Sequence, residues 1–96
     1  MMLSSRAQLT TPNADKVLYK LCKHYALKVP VEFDSHQAHV HFPIGECRIQ
    51  RQDDTLDMIC AADAADKLAK IEFIMDEHLG LMAKTPDLKL DWAKTE

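Results

Sequence analysis

Lys20, His24 and Lys28 recur every fourth residue, so on a helix they lie along one flank, one turn apart. Lys23 sits beside them, and Glu32 follows in the next segment. An imidazole flanked by ammonium groups resists protonation and stays a neutral base near neutral pH. The same cations suit an anionic ligand. Lys20, Lys23, His24, Lys28 and Glu32 therefore form the first candidate binding set. A structural alternative stands beside it, in which cations in a last helical turn complement the helix dipole and pair with Glu32.

His36, His39 and His41 form a second set. In an alternating segment His39 and His41 point to one side of a strand, with His36 in or beside the preceding turn. Two imidazoles at i and i+2 can chelate Zn²⁺ or Ni²⁺, although a structural zinc takes four ligands and usually sulfur. Cys47 and Cys60 fall on the other side of the sheet and do not complete this set. The alternative is polar side chains on a wet sheet face.

Covalent catalysis finds little support. No GxSxG, P-loop or Rossmann glycine pattern is present, and the chain has two glycines. A Cys22–His24 dyad fails because positions i and i+2 on a helix diverge by about 200°. Asp53-Asp54 and Asp76-Glu77 read as solvating carboxylates, and Met58, Met75 and Met82 read as core.

Positioning these residues requires a specific run of elements. Ser5–Thr10 alternates as a short strand. Thr11-Pro12 then signals a helix start, with a hydroxyl cap and a first-turn proline. Ala14, Val17, Leu18, Leu21, Cys22 and Tyr25 make one apolar helical stripe, which Pro30 terminates. From Val29 to Cys60 the period is two, which predicts four strands in an antiparallel meander, with Gly45 supplying a positive φ in the Pro43-Ile44-Gly45 turn. A second helix, capped by Asp63, carries Leu68, Ile71, Met75, Leu79 and Met82 on its stripe, with His78 beside them, and stops near Thr85-Pro86. Leu88, Leu90 and Trp92 alternate as a closing strand. The expectation is an α+β, two-layer domain spanning residues 1–96, with two helices on one face of a curved antiparallel sheet in the order β-α-β-β-β-β-α-β.

Composition bounds the rest. The chain has 96 residues, 47% hydrophobic and 28% charged, as an ordinary globular domain does. The net charge of −3 argues against nucleic acid, although residues 1–29 carry five cations against one acid. No apolar run approaches the ~20 residues of a membrane span, and no signal segment is visible, so the expected location is cytoplasmic with no membrane partner. Cys22, Cys47 and Cys60 lie on apolar positions and read as buried, reduced thiols.

Leu21-Cys22-Lys23-His24-Tyr25 running into Lys28-Val29-Pro30-Val31-Glu32-Phe33 resembles the bacterial family called domain of unknown function 2218. Phe42–Ile49, His78-Leu79 and Leu88–Trp92 continue the match. The resemblance implies that members stand alone or are appended to flavin-dependent siderophore-interacting proteins, a context of iron handling. It covers Cys22, Lys23, His24, Lys28, Glu32, Gly45, Cys47 and Trp92. The family pattern often has a second histidine where this chain has Leu27, so a role needing two histidines on that helix is not implied. Apart from the closing strand, the element order also resembles one repeat of the TATA-binding protein core, an analogy of fold alone.

Together these readings predict a non-catalytic binding or accessory module for a small anionic ligand or a partner protein. The alternative is a metal- or iron/siderophore-linked redox accessory protein, and an enzyme ranks below both. No cofactor is expected, a transition metal being the alternative. An uncovered sheet face and edge, the wet-side Ile59 and the off-stripe Phe73 predict a homodimer with Ile59 or Phe73 at its interface.

Overall fold

Alternating side chains put one apolar face on every strand, and the pairing then follows from aligning those faces. In this computed structural model, which describes residues 2–82 and 90–94, β1 (Leu3–Thr10) pairs antiparallel with β5 (Thr55–Ala62) along its whole length. β2 (Val31–Phe33), β3 (Gln37–Phe42) and β4 (Gly45–Gln52) extend the sheet beyond β5, and β6 (Ala93–Lys94) pairs with β1 on the opposite side. The strand order is β2-β3-β4-β5-β1-β6, antiparallel throughout. The helices α1 (Ala14–Ala26) and α2 (Ala65–Met82) cover one face. This is the α+β fold and the element order expected from the residue pattern.

The core lies between the helices and that face. Val40, Cys47, Ile49, Leu56, Met58 and Cys60 from the strands meet Leu18, Leu21, Cys22, Leu68, Ile71, Met75 and Leu79 from the helices, and all are buried. Every residue of the stripe read on α1 is buried. On α2, Leu68, Ile71, Met75 and Leu79 are buried and Met82 packs partly against the core. The opposite sheet face is polar. Glu32, His39, Arg48, Ile59 and Arg6 stand in one cross-strand row, and Arg6 makes a two-pronged contact to Asp57.

The helix starts differ from the sequence reading. Thr11 does not cap α1: its N–H donates to the Asp54 carbonyl (2.8 Å), so it stays tied to the β4–β5 turn. Asn13 takes the cap position in a left-handed conformation (φ 60°), which asparagine tolerates, without a side-chain cap bond. On α2, the Ala64 carbonyl accepts the first helical bond from Leu68. The Asp63 carboxylate instead pairs with Lys67 at 3.1 Å.

The C-terminal segment also departs from expectation. Leu88 and the expected helix stop at Thr85-Pro86 lie outside the described residues. Leu90 and Trp92 pack partly against the core, and among the described residues of this segment strand pairing comes only at Ala93 and Lys94. Asp76, read as solvating, is half-buried: it accepts hydrogen bonds from the Leu90 backbone (3.2 Å) and from Trp92 Nε1 (2.9 Å). Beside it Glu72 receives Ser5 Oγ at 2.6 Å and Lys94 Nζ at 2.8 Å, so two α2 carboxylates hold the chain end against β1.

The three thiols are buried and free. Cys47 stands directly opposite Cys60, with Cys60 Sγ donating to Cys47 Sγ at 3.4 Å. Burial pushes the Cys22 thiol up to about 12. The Cys47 thiol is raised by the bond from Cys60 and by burial. Cys22 and Cys47 therefore favour the protonated form, which is not the nucleophile. Among the described residues no helix is long and apolar enough to cross a membrane.

Candidate functional site

Tyr25 is the last residue of the buried α1 stripe, and its hydroxyl must find a partner inside the core. It lies 2.9 Å from His78 Nδ1 and 3.4 Å from Met75 Sδ, both on α2. His24, the next residue on α1, meets the His78 ring edge-on with centroids 4.7 Å apart. The second imidazole at this helix end thus comes from α2, not from the position of Leu27, which is exposed. Lys28 follows one turn after His24, where Leu27, Lys28 and Val29 donate backbone N–H groups to the His24 and Tyr25 carbonyls and close the helix.

Burial lowers the His78 pKa, with the neighbouring His24 and Lys28 adding to the effect and Glu77 opposing it. Burial likewise pushes the Tyr25 hydroxyl far up, so the phenol stays protonated. Here sit a neutral imidazole and a neutral phenol, a hydrogen-bonded pair that orients α1 against α2.

A stability prediction follows. The depressed His78 pKa means that the unfolded chain binds more protons than the folded one as pH falls through the ordinary imidazole range near ~6.5. Stability should be fully present above that range and decline below it. Urea unfolding at about pH 7.5 and about pH 5.5, bracketing that range, should give a smaller pH difference in His78→Gln than in the wild type. An equal difference would assign the acid sensitivity to other groups.

The other lysines of the first candidate set diverge from His24. Lys20 lines a groove of about 480 Å³ between α1 and β2, with Asp15, Lys16, Tyr19, Phe33, Asp34 and Ser35. The Tyr19 and Phe33 rings meet edge-on at 6.2 Å, and Lys23 Nζ lies 6.0 Å from the Tyr19 ring centre. Asp34 is occupied structurally. Its Oδ1 accepts the backbone N–H groups of His36 (2.7 Å) and Gln37 (2.9 Å), which hold its carboxyl below the usual range. Among the described residues, Lys16, Lys20, Lys23 and Lys28 form no ion pair with a carboxylate.

Glu32 does not join these lysines. It projects onto the open sheet face, where its carboxylate lies 3.2 Å from His41 Nε2. His39 stacks beside His41 with ring centres 4.0 Å apart, and His39 Nε2 lies 3.3 Å from Glu46 Oε2. His36 stands away from this group, at the β2–β3 turn, with Nδ1 2.9 Å from Ser35 Oγ. Of the three histidines expected together, two are brought together, and Glu32 and Glu46 join them. The expected association residues are exposed but apart: Ile59 (41%) on the open sheet face and Phe73 (65%) on the helical layer.

The family model described as an uncharacterized protein conserved in bacteria, domain of unknown function 2218, matches residues 6–93. The chain belongs to this family. The match spans His24, Tyr25, His78 and the groove residues, and also the histidines of the open face. The fold is similar to the NMR structure of PA4090 from Pseudomonas aeruginosa, with a TM-score of 0.80, 26% sequence identity and 95% of each chain covered. No curated protein matches the chain.

Proposed function

We propose that this family member is a non-catalytic binding module whose ligand is a small amphipathic anion, such as an aryl or acyl carboxylate. The observation that carries this reading is the groove between α1 and β2: Tyr19 and Phe33 offer an apolar wall, and Lys16 and Lys20 stand at its rim with no carboxylate partner among the described residues. Small-molecule sites combine largely apolar walls with a few polar groups that fix orientation. An apolar body lies against the two rings, and its anionic end meets the lysines. Asp15 shares the rim, while the Asp34 carboxylate is engaged by the turn that follows it.

The test is an amide chemical-shift titration with 8-anilinonaphthalene-1-sulfonate, an aromatic sulfonate that supplies both features. Shifts should concentrate in residues 15–20 and 33–35, and Lys20→Glu and Phe33→Ala should each weaken binding several-fold. Shifts scattered over the surface, or affinity unchanged in both variants, would overturn the reading.

A further inference from the structure

The open face of the sheet carries a constellation that the groove reading does not use. Antiparallel pairing sets Glu32 opposite His39 and His41 opposite Glu46. Because side chains two apart share a face, both imidazoles and both carboxylates emerge on the side away from the helices. Glu32, His39 and His41 each present a ligating atom, and these atoms lie within 4.8 Å of one another.

We propose that Glu32, His39 and His41 form a binding site for one divalent transition-metal ion of the zinc class, flanked by Glu46. The donor set favours this class: imidazole suits Zn²⁺, Ni²⁺ and Cu²⁺, whereas Mg²⁺ and Ca²⁺ prefer all-oxygen sites. The spacing is close to what an ion requires. With metal–ligand distances of about 2.0–2.2 Å, two ligands on one ion stand at most about 4.4 Å apart. Small side-chain rotations close the difference, and His41 and Glu32 are exposed enough to make them.

A second observation points the same way. His39 Nε2 is shielded from solvent and, among the described residues, has no hydrogen-bond partner, although Glu46 Oε2 stands 3.3 Å away. An imidazole nitrogen that is buried without a partner is poised for one. The charge balance is also right for a dication. Glu32 and Glu46 contribute two negative charges against the single guanidinium of Arg48, whose Nε lies 3.6 Å from Glu46 Oε1. Three protein ligands leave at least one coordination position for water or an exogenous ligand. A hollow of about 370 Å³ lined by Glu32, His39 and Arg48 adjoins the site.

The site is independent of His36, which is held at the turn by Ser35, and of Cys47 and Cys60, which face the core. That independence supplies the test. Untagged protein is titrated with ZnCl₂ by calorimetry in a non-chelating buffer, and thermal melts establish that each variant is folded. One ion per chain should bind. His39→Ala and His41→Ala should each weaken binding by at least tenfold, since losing even an outer partner of a metal site costs about 10–100-fold. Glu32→Gln should also weaken it, and His36→Ala should leave it within about twofold of wild type. No saturable zinc binding overturns the proposal. So does binding that survives the double substitution His39→Ala/His41→Ala, or binding that falls as much in His36→Ala as in His39→Ala. If zinc binds but anilinonaphthalene sulfonate does not, the metal site stands and the groove reading alone fails.

Discussion

Leu21→Ala is expected to remove about 2–5 kcal/mol of stability, the range for deleting a buried leucine's methyl groups and leaving a cavity. Leu21 is fully buried at the middle of the α1 stripe, where α1 packs over the sheet and beside α2. Rigid neighbours on two sides limit collapse of the cavity, which favours the upper part of that range. For a small domain each kcal/mol shifts the melting temperature by roughly 4–8 °C. Lys70→Ala provides the comparison: the residue is exposed on α2, and a surface change away from special features stays within about 0.5 kcal/mol. Melting curves of the two variants should therefore differ widely. Equal losses would mean that the assigned faces of the helices are wrong.

That comparison rests on the part of the fold most legible in the sequence. Ala14, Val17, Leu18, Leu21, Cys22 and Tyr25 announce their buried face because helical periodicity is a local property, readable within one segment. Strand alternation from Val29 to Cys60 is local in the same sense. It placed Cys47 and Cys60 inside and His39 and His41 outside, as the structure has them.

What the sequence hides is the pairing between segments. His24 and His78 are far apart in the chain, and nothing in either helix's pattern says that the two rings meet. The residue order suggests the preceding lysines as partners of Glu32, but its partner is decided by cross-strand register, which brings it beside His39 and His41. Asp76 looks like any surface acid until Leu90 and Trp92 return to it. The missed Thr11 cap has the same origin, since its amide is claimed by Asp54 from a distant turn. Local chemistry reveals which groups are available, and topology decides which of them become partners.

Gly45 shows this division within one residue, and it carries the second large prediction. A turn glycine is ordinarily explained by a left-handed backbone, and the sequence invites that explanation after Pro43-Ile44. Its φ of 159° is positive, as that reading expects, although far from the left-handed helical value of about +57°. The tighter constraint is space. A Cβ at this position would lie 2.3 Å from the Ala61 carbonyl oxygen and 2.7 Å from Ile71 Cδ1. The Ile71 methyl can rotate away, but the Ala61 carbonyl belongs to β5 at the point where Ala61 pairs with Glu46 of β4. Relieving the clash means shifting one strand of the sheet's centre or displacing α2, which packs above it through Ile71. At an unconstrained site, Gly→Ala stabilises by about 0.4–1 kcal/mol by restricting the unfolded chain. At Gly45 the sign should reverse, with a loss of about 1–3 kcal/mol or more, as overpacking a core costs. Gly45→Val, which adds a branched side chain at the same point, should lose more still and fold poorly. Urea unfolding of Gly45→Ala decides the matter. Stability equal to or above wild type would show that β4 and β5 are not packed this closely at the turn.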